Sequence, residues 1–218
     1  GTVFERDGWE FRTEAAHAPW WVIDEGVIGI QLSDTDFSAL GEEAFTPPSE
    51  TKNQALFFSE HIHGDVLHYE LGGRVERSDV SANGNHSDYD ELASSAAAAV
   101  TWQINPKDTL SLVLQLSQRH PNSTELYADG PHLATSQYEI GDADLEKETA
   151  YGIDLTYRST HTRWQAEFST FYTYYEDYIF AEAQGFKTDG LDTYQFEAID
   201  AEFYGFEAQL DYELFKSV

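Results

Sequence analysis

Side chains along this chain repeat with a period of two. In "TLSLVLQLSQ", Leu110, Leu112, Leu114 and Leu116 share one face, and Thr109, Ser111, Gln115 and Ser117 share the other, with Val113 the exception. Only an extended strand separates neighbours in this way. "AYGIDLTYR" does the same: Tyr151, Ile153, Leu155 and Tyr157 oppose Gly152, Asp154, Thr156 and Arg158. So do "VLHYELGGRVE" and the stretch from Tyr204 to Leu214. The run "ASSAAAAVTW" has helical propensity, but "NPKD" follows it and leads straight into the leucine strand, so it too reads as a strand. About nine strands are predicted in all, at 8–17, 22–33, 52–62, 66–77, 91–104, 109–119, 148–159, 163–180 and 196–214.

The connections alternate. Those around Pro19, Gly64, Asn105-Pro106 and Thr160-His161 are short, while 34–51, 78–90, 120–147 and 181–195 are long. Short turns at one end of a meander and long loops at the other characterise a membrane barrel. Strand length agrees, since a tilted membrane strand needs about 9–11 residues against about 5–6 in a soluble sheet. Trp20, Trp21, Trp102 and Trp164 fall by the short turns, and Tyr172, Tyr174 and Tyr178 nearer the long loops, as interfacial girdles would. The predicted fold is therefore all-β, an antiparallel up-and-down meander forming a segment of a large transmembrane β-barrel. Apolar rows face lipid, and Glu70, Arg74, Glu76, Asp154, Arg158, Glu167 and Glu207 line a wet lumen. The competing fold is a secreted β-sandwich that binds carbohydrate through exposed Tyr and Trp.

Composition narrows the function. Forty acidic residues stand against twelve basic ones, a net charge of −28. That excludes a nucleic-acid partner, which needs clustered Lys and Arg, and it suits either a cationic ligand or a plain acidic surface. There is no Cys and no Met, so disulfides and thiolate sites are ruled out and a metal would need His or carboxylate ligands. The missing Met at position 1 suggests a mature or excised piece. No apolar run approaches the roughly 20 residues of a membrane helix, which leaves a barrel open. No Gly-x-Ser-x-Gly, His-Glu-x-x-His or Gly-rich phosphate loop is present, so no catalytic set and no catalytic cofactor is predicted.

The loop 120–147 with its flanks reads "QRHPNSTELYADGPHLATSQYEIGDADLEKETAYGIDLTYR". It resembles TonB-dependent outer-membrane receptors, in which Arg-x-Pro precedes Glu-Leu-Tyr, Gly-Pro-His-x-Ala-Thr, an aromatic-Glu-x-Gly-Asp segment and Leu-x-x-Glu. The carriers here are Arg119, Pro121, Glu125, Leu126, Tyr127, Gly130, Pro131, His132, Ala134, Thr135, Tyr138, Glu139, Gly141, Asp142, Leu145 and Glu148. Within that family the likeness is greatest to zinc-uptake receptors; haem and ferric-siderophore receptors share part of the frame.

The resemblance implies a twenty-two-stranded barrel with an N-terminal plug, of which residues 1–218 are a partial barrel domain without the plug. It further implies a bacterial outer-membrane location in contact with the lipid bilayer, active transport energised by the partner TonB, and a metal ion or metal chelate as cargo, zinc first. His132 is the implied metal ligand. Asp129 and Glu125 can add oxygens, and His86 with Asp88 and Asp90 makes a second acidic, histidine-bearing loop. His120, Tyr127 and Tyr138 are the remaining candidate substrate contacts. Each has a blander reading as a solvated loop residue. His17, His61, His63 and His161 fall by the short turns, away from incoming substrate; His61 and His63 share a strand face, but a turn follows at once.

Overall fold

A computed structural model describes residues 1–41 and 44–215 of the chain. Nine long strands form the meander: β1 (Val3–His17), β2 (Glu25–Leu40), β3 (Ser49–His63), β4 (Leu67–Ala82), β5 (Tyr89–Asn105), β6 (Asp108–Arg119), β9 (Glu148–Thr160), β10 (Trp164–Thr188) and β11 (Leu191–Tyr212). The segment between β6 and β9 is structured as well. It holds a single helical turn, α1 (Ser123–Tyr127), and a small hairpin of β7 (Asp129–His132) and β8 (Gln137–Ile140). The eleven strands of the described residues belong to one sheet, ordered β1-β2-β3-β4-β5-β6-β9-β10-β11-β8-β7. The long strands pair antiparallel with their sequence neighbours; β8 runs parallel to the start of β11. Among the described residues no second sheet packs against this one, which removes the sandwich alternative.

The alanine-rich run is a strand, as its context predicts: Ala96 to Ala99 lie in β5 between Gly73 to Glu70 of β4 and Leu116 to Val113 of β6. Three predictions need correction. The second strand starts at Glu25 rather than 22 and runs on to Leu40, because 18–24 is taken up by a turn in which Trp20 and Ile23 bond to each other's backbone. The stretch 181–195 is not a long loop. β10 and β11 extend through it and meet at a two-residue turn, Asp189-Gly190, with φ of 52° and 84°. Two positive φ values define the tight turn that matches strand twist, and Asp-Gly favours it. The stretch 120–147 is not an open loop either, as described below.

The two faces divide as the period predicts. Leu56 and Phe58 of β3, Leu71 and Val75 of β4, Leu114 of β6, Ile153 and Leu155 of β9 and Phe206 of β11 are exposed on the outward face. Trp20 and Trp21 are 74% and 92% exposed by the first short turn, and Trp102 is half exposed by another. Tyr178 departs from the girdle pattern, packing edge-on against Tyr175 and obliquely on Phe203. Inward lie Ala55, Gln31, Arg74, Glu76 and Ala93, linked across strands; the Arg74 Nη1 donates to Gln31 Oε1 at 2.9 Å. Phe57 is an inward exception. Its ring covers Gly29, where a Cβ would sit 2.3 Å from it, and carries the Arg12 guanidinium 4.2 Å from its centroid.

The buried apolar cluster is Val80, Tyr89, Leu126, Tyr127, Leu145 and Ile179. It forms where the 120–147 segment lies on the inner wall, so the compact part of the molecule is at its long-loop end. Burial of such side chains stabilises by about 1.5–3 kcal/mol each, which fixes the segment in place.

Candidate functional site

The residues 120–147 are held from their first turn. Asn122 caps α1: its side chain accepts from the backbone N–H groups of Thr124 and Glu125, and Glu125 Oε2 accepts from Asn122 N at 2.8 Å. This reciprocal arrangement satisfies N–H groups that a helix start otherwise leaves open. Arg119, the last residue of β6, reaches Glu125 at 2.9 Å and Glu148 at 3.2 Å, clamping both ends of the segment to the wall. The Tyr127 hydroxyl lies 2.9 Å from the carbonyl oxygens of both Val80 and Ser87. Gly141 packs on the Leu126–Ala128 backbone, where a Cβ would meet main-chain atoms at 2.6 Å.

Beyond α1 the β7–β8 hairpin spans a wide gap. Asp129 N donates to the Phe45 carbonyl at 2.7 Å, in the β2–β3 connection, while β8 pairs with Asp192 to Gln195 of β11. One hairpin thus ties elements from opposite ends of the sheet across the long-loop mouth. On it sits His132. Its Nδ1 is 2.7 Å from Glu139 Oε1, and its ring stacks on Phe45 with centroids 4.5 Å apart. Asp129 Oδ1 accepts from the Tyr138 hydroxyl at 2.9 Å. Burial and the neighbouring Asp129 both raise the Tyr138 pKa above the usual phenol value.

The predicted site residues therefore divide. His132, Asp129 and Tyr138 share the hairpin, but His132 pairs with Glu139 on one face while Asp129 pairs with Tyr138 on the other. Glu125 and Tyr127 are buried and used up in holding the segment. His86 and Asp88 lie exposed in the β4–β5 connection, the His86 ring 5.3 Å from that of Tyr127. His120 bonds Tyr89 Oη through Nδ1 at 2.9 Å, and its Nε2 is buried with no hydrogen-bond partner among the described residues. Burial lowers its pKa, although the Glu76 carbonyl and the carboxylates of Glu76 and Glu91 pull the other way. Among the described residues no three His, Asp or Glu side chains converge as a ready metal centre.

Three partners escaped the sequence reading. Glu139 is the carboxylate that His132 meets, and it comes near because Ser136, at φ 58°, turns the chain back between them. Phe45 comes from a distant connection and had no signal. Glu139 and Glu148 were visible only as motif members. Beneath α1, the inner wall forms a concavity of about 820 Å³ bordered by Arg6, Thr35, Asn53, Glu76, Arg119 and His120.

The family profile described as "TonB dependent receptor-like, beta-barrel" matches residues 4–217. The chain belongs to this TonB-dependent receptor family. Solved structures agree in fold. The copper transporter OprC superposes with a TM-score of 0.81 at 16% identity, over 98% of this chain and 36% of that one. The hemophore receptor HasR of Serratia marcescens, in complex with its hemophore HasA and heme, gives 0.75 at 16%, over 97% and 40%. The FrpB iron transporter of Neisseria meningitidis gives 0.70 at 13%, over 97% and 33%. The chain thus spans well under half the length of these relatives. As a TonB-dependent receptor β-barrel segment it is an outer-membrane protein, and its relatives are transport receptors rather than enzymes.

Proposed function

We propose that this barrel segment forms part of a receptor that takes up a metal ion or metal complex across the outer membrane, energised through TonB, with zinc as the cargo. The observation that carries the reading is the His132–Glu139 pair on the hairpin at the long-loop mouth. A metal-bound imidazole almost always donates its second ring N–H to a carboxylate or carbonyl, which fixes the tautomer and makes the free nitrogen a better ligand. Glu139 does this for Nδ1 and leaves Nε2 for the ion. Asp129 faces the other side of the hairpin with Tyr138, so His132 is the ligand this hairpin offers and the remaining ligands come from other loops or from water. The surplus of acid focuses cations toward the mouth. His86 and Asp88 supply a first capture point on a neighbouring exposed connection.

The concavity under α1 favours a second reading, a haem or ferric-siderophore cargo. Its size falls within the roughly 300–1,000 Å³ of small-molecule sites, and Arg6 on its border suits an anionic chelate, Arg119 being already paired with Glu125 and Glu148. Calorimetric titration of the intact natural protein in detergent with zinc, with haem and with a ferric siderophore separates the two. Zinc binding with no haem or siderophore binding is the expected result. Glu139→Gln weakens zinc by roughly 10–100-fold, and His132→Ala by at least as much. Zinc affinity unchanged in His132→Ala removes the hairpin from the site.

A further inference from the structure

The inner wall carries a second group of histidines, at the short-turn end, which the transport reading leaves unused. His61 and His63 are two residues apart in β3 and so share a face. His63 stands directly opposite His68 of β4. The ring centroids are 6.4 Å apart for His61 and His63 and 5.6 Å apart for His63 and His68. Strand parity puts all three on the face of Ala55 and Phe57 in β3 and of Arg74 and Glu76 in β4, the lumenal face. Glu25 and Glu70 flank His61 on either side in the ladder. Asp24 holds His63: its Oδ2 accepts from the His63 backbone N–H and lies 3.5 Å from Nδ1. Among the described residues the Nδ1 of His68 is buried with no hydrogen-bond partner.

We propose that His61, His63 and His68 form a binding site for a divalent transition-metal ion of the Zn²⁺ or Cu²⁺ type. The spacing carries the argument. A metal–nitrogen bond is about 2.0–2.1 Å, which puts a ring centroid about 3.2 Å from the ion, and tetrahedral ligation then sets centroids about 5 Å apart. Two of the three separations are already within about 1.5 Å of that value. The backbone positions are fixed by an unbroken ladder, so only side-chain torsions need to move. Among the described residues no three ligands converge as placed, so binding requires the three rings to rotate toward one point.

Imidazole without thiolate suits Zn²⁺, Cu²⁺ or Ni²⁺, with Cu²⁺ held tightest. An ion would also satisfy the orphaned nitrogen of His68, a group that buried sites seldom leave unpaired. Asp24 plays the part of an outer carboxylate that orients a ligating ring.

This site does not depend on the cargo. It lies at the opposite end of the wall from His132, and a receptor for an organic chelate would carry it equally. The test uses the intact natural protein in detergent with His86→Ala and His132→Ala as background, so that both mouth histidines are silent. Cu²⁺ is followed by electron paramagnetic resonance and Zn²⁺ by calorimetry. The expected result is one equivalent bound, with nitrogen hyperfine splitting from more than one imidazole. The triple variant His61→Gln, His63→Gln, His68→Gln loses that equivalent, and Asp24→Asn weakens it by roughly tenfold. If the triple variant does not assemble, His63→Gln alone is read, since it breaks both ring pairs; it loses more affinity than Asp24→Asn. Binding in either histidine variant that matches the parent overturns the proposal.

Discussion

Arg119 and Tyr127 show how single side chains turn a connecting segment into a fixed part of the wall. Arg119 is 42% exposed at its side chain, but its two partners, Glu125 and Glu148, are 12% and 10% exposed. Removing the cation leaves two nearly buried carboxylates facing each other with nothing to balance them. Breaking a fully buried pair costs about 3–5 kcal/mol. Solvent at the guanidinium screens part of this, so Arg119→Leu is expected to weaken segment docking by about 2 kcal/mol. The Lys147–Glu91 pair at 3.3 Å joins more exposed groups and is worth no more than about 1 kcal/mol. Tyr127→Phe keeps the ring in its apolar cluster and deletes only a hydroxyl that bonds the buried Val80 carbonyl and the part-buried Ser87 carbonyl, a loss of about 1–3 kcal/mol. Amide exchange at Leu126–Ala128 reads both effects. Protection unchanged in Tyr127→Phe would mean the hydroxyl contributes nothing to docking.

The element that these residues anchor is small. α1 has five residues, far too short to persist alone, so its stability is that of its contacts. A neighbouring group titrates. His120 bonds Tyr89 in the cluster that also holds Leu126 and Tyr127, and burial sets its folded pKa below the usual 6.5. The undocked segment therefore binds more protons than the docked one between the two values. Docking is at full strength above about pH 6.5 and weakens as the pH falls through and below it. Amide exchange across α1 is expected to quicken on going from about pH 7.5 to about pH 5.5, after correction for intrinsic rates, and His120→Gln flattens that trend. A wild-type profile parallel to that of His120→Gln would rule out the histidine as its source.

The same element marks where sequence reading reaches its limit. The long strands were legible because an apolar outer face and a polar inner face stamp a period of two on β6 and β9. Asn122 and Glu125 spell a cap in "NSTE", but a cap signals only where a helix begins, not that the wall will hold so short a one. Asp189-Gly190 also spelled its turn, and it was obscured because Thr188 and Leu191 continue strands far longer than usual. Phe45 could not be inferred for His132, since no local pattern links residues so far apart in the chain.

At the scale of the whole molecule, a single sheet with an apolar outer face and a polar inner one is stable only if something apolar covers the outside. Leu56, Leu71, Leu114, Ile153 and Phe206 are exposed on that face, and hydrocarbon is the medium that covers them at no polar cost. The inner face shows the reverse logic: Arg74 meets Gln31 and Glu76, and Arg158 meets Glu167 at 2.5 Å, pairings that only a wet lumen makes comfortable. Adjacent residues in β6 test this division directly. Leu114 lies midway along the strand and points outward, while Gln115 points inward and packs its amide against Gly152. Leu114→Arg in the intact barrel is expected to destabilise the bilayer-inserted state by about 2–4 kcal/mol, the cost of a cation on the lipid face near the midplane. Gln115→Arg, one residue away, places the same charge in the lumen and costs well under half as much, because its head remains in water. Urea titration of folding into lipid vesicles, followed by tryptophan fluorescence, measures both. Equal costs at the two positions would mean that the outer face does not meet hydrocarbon.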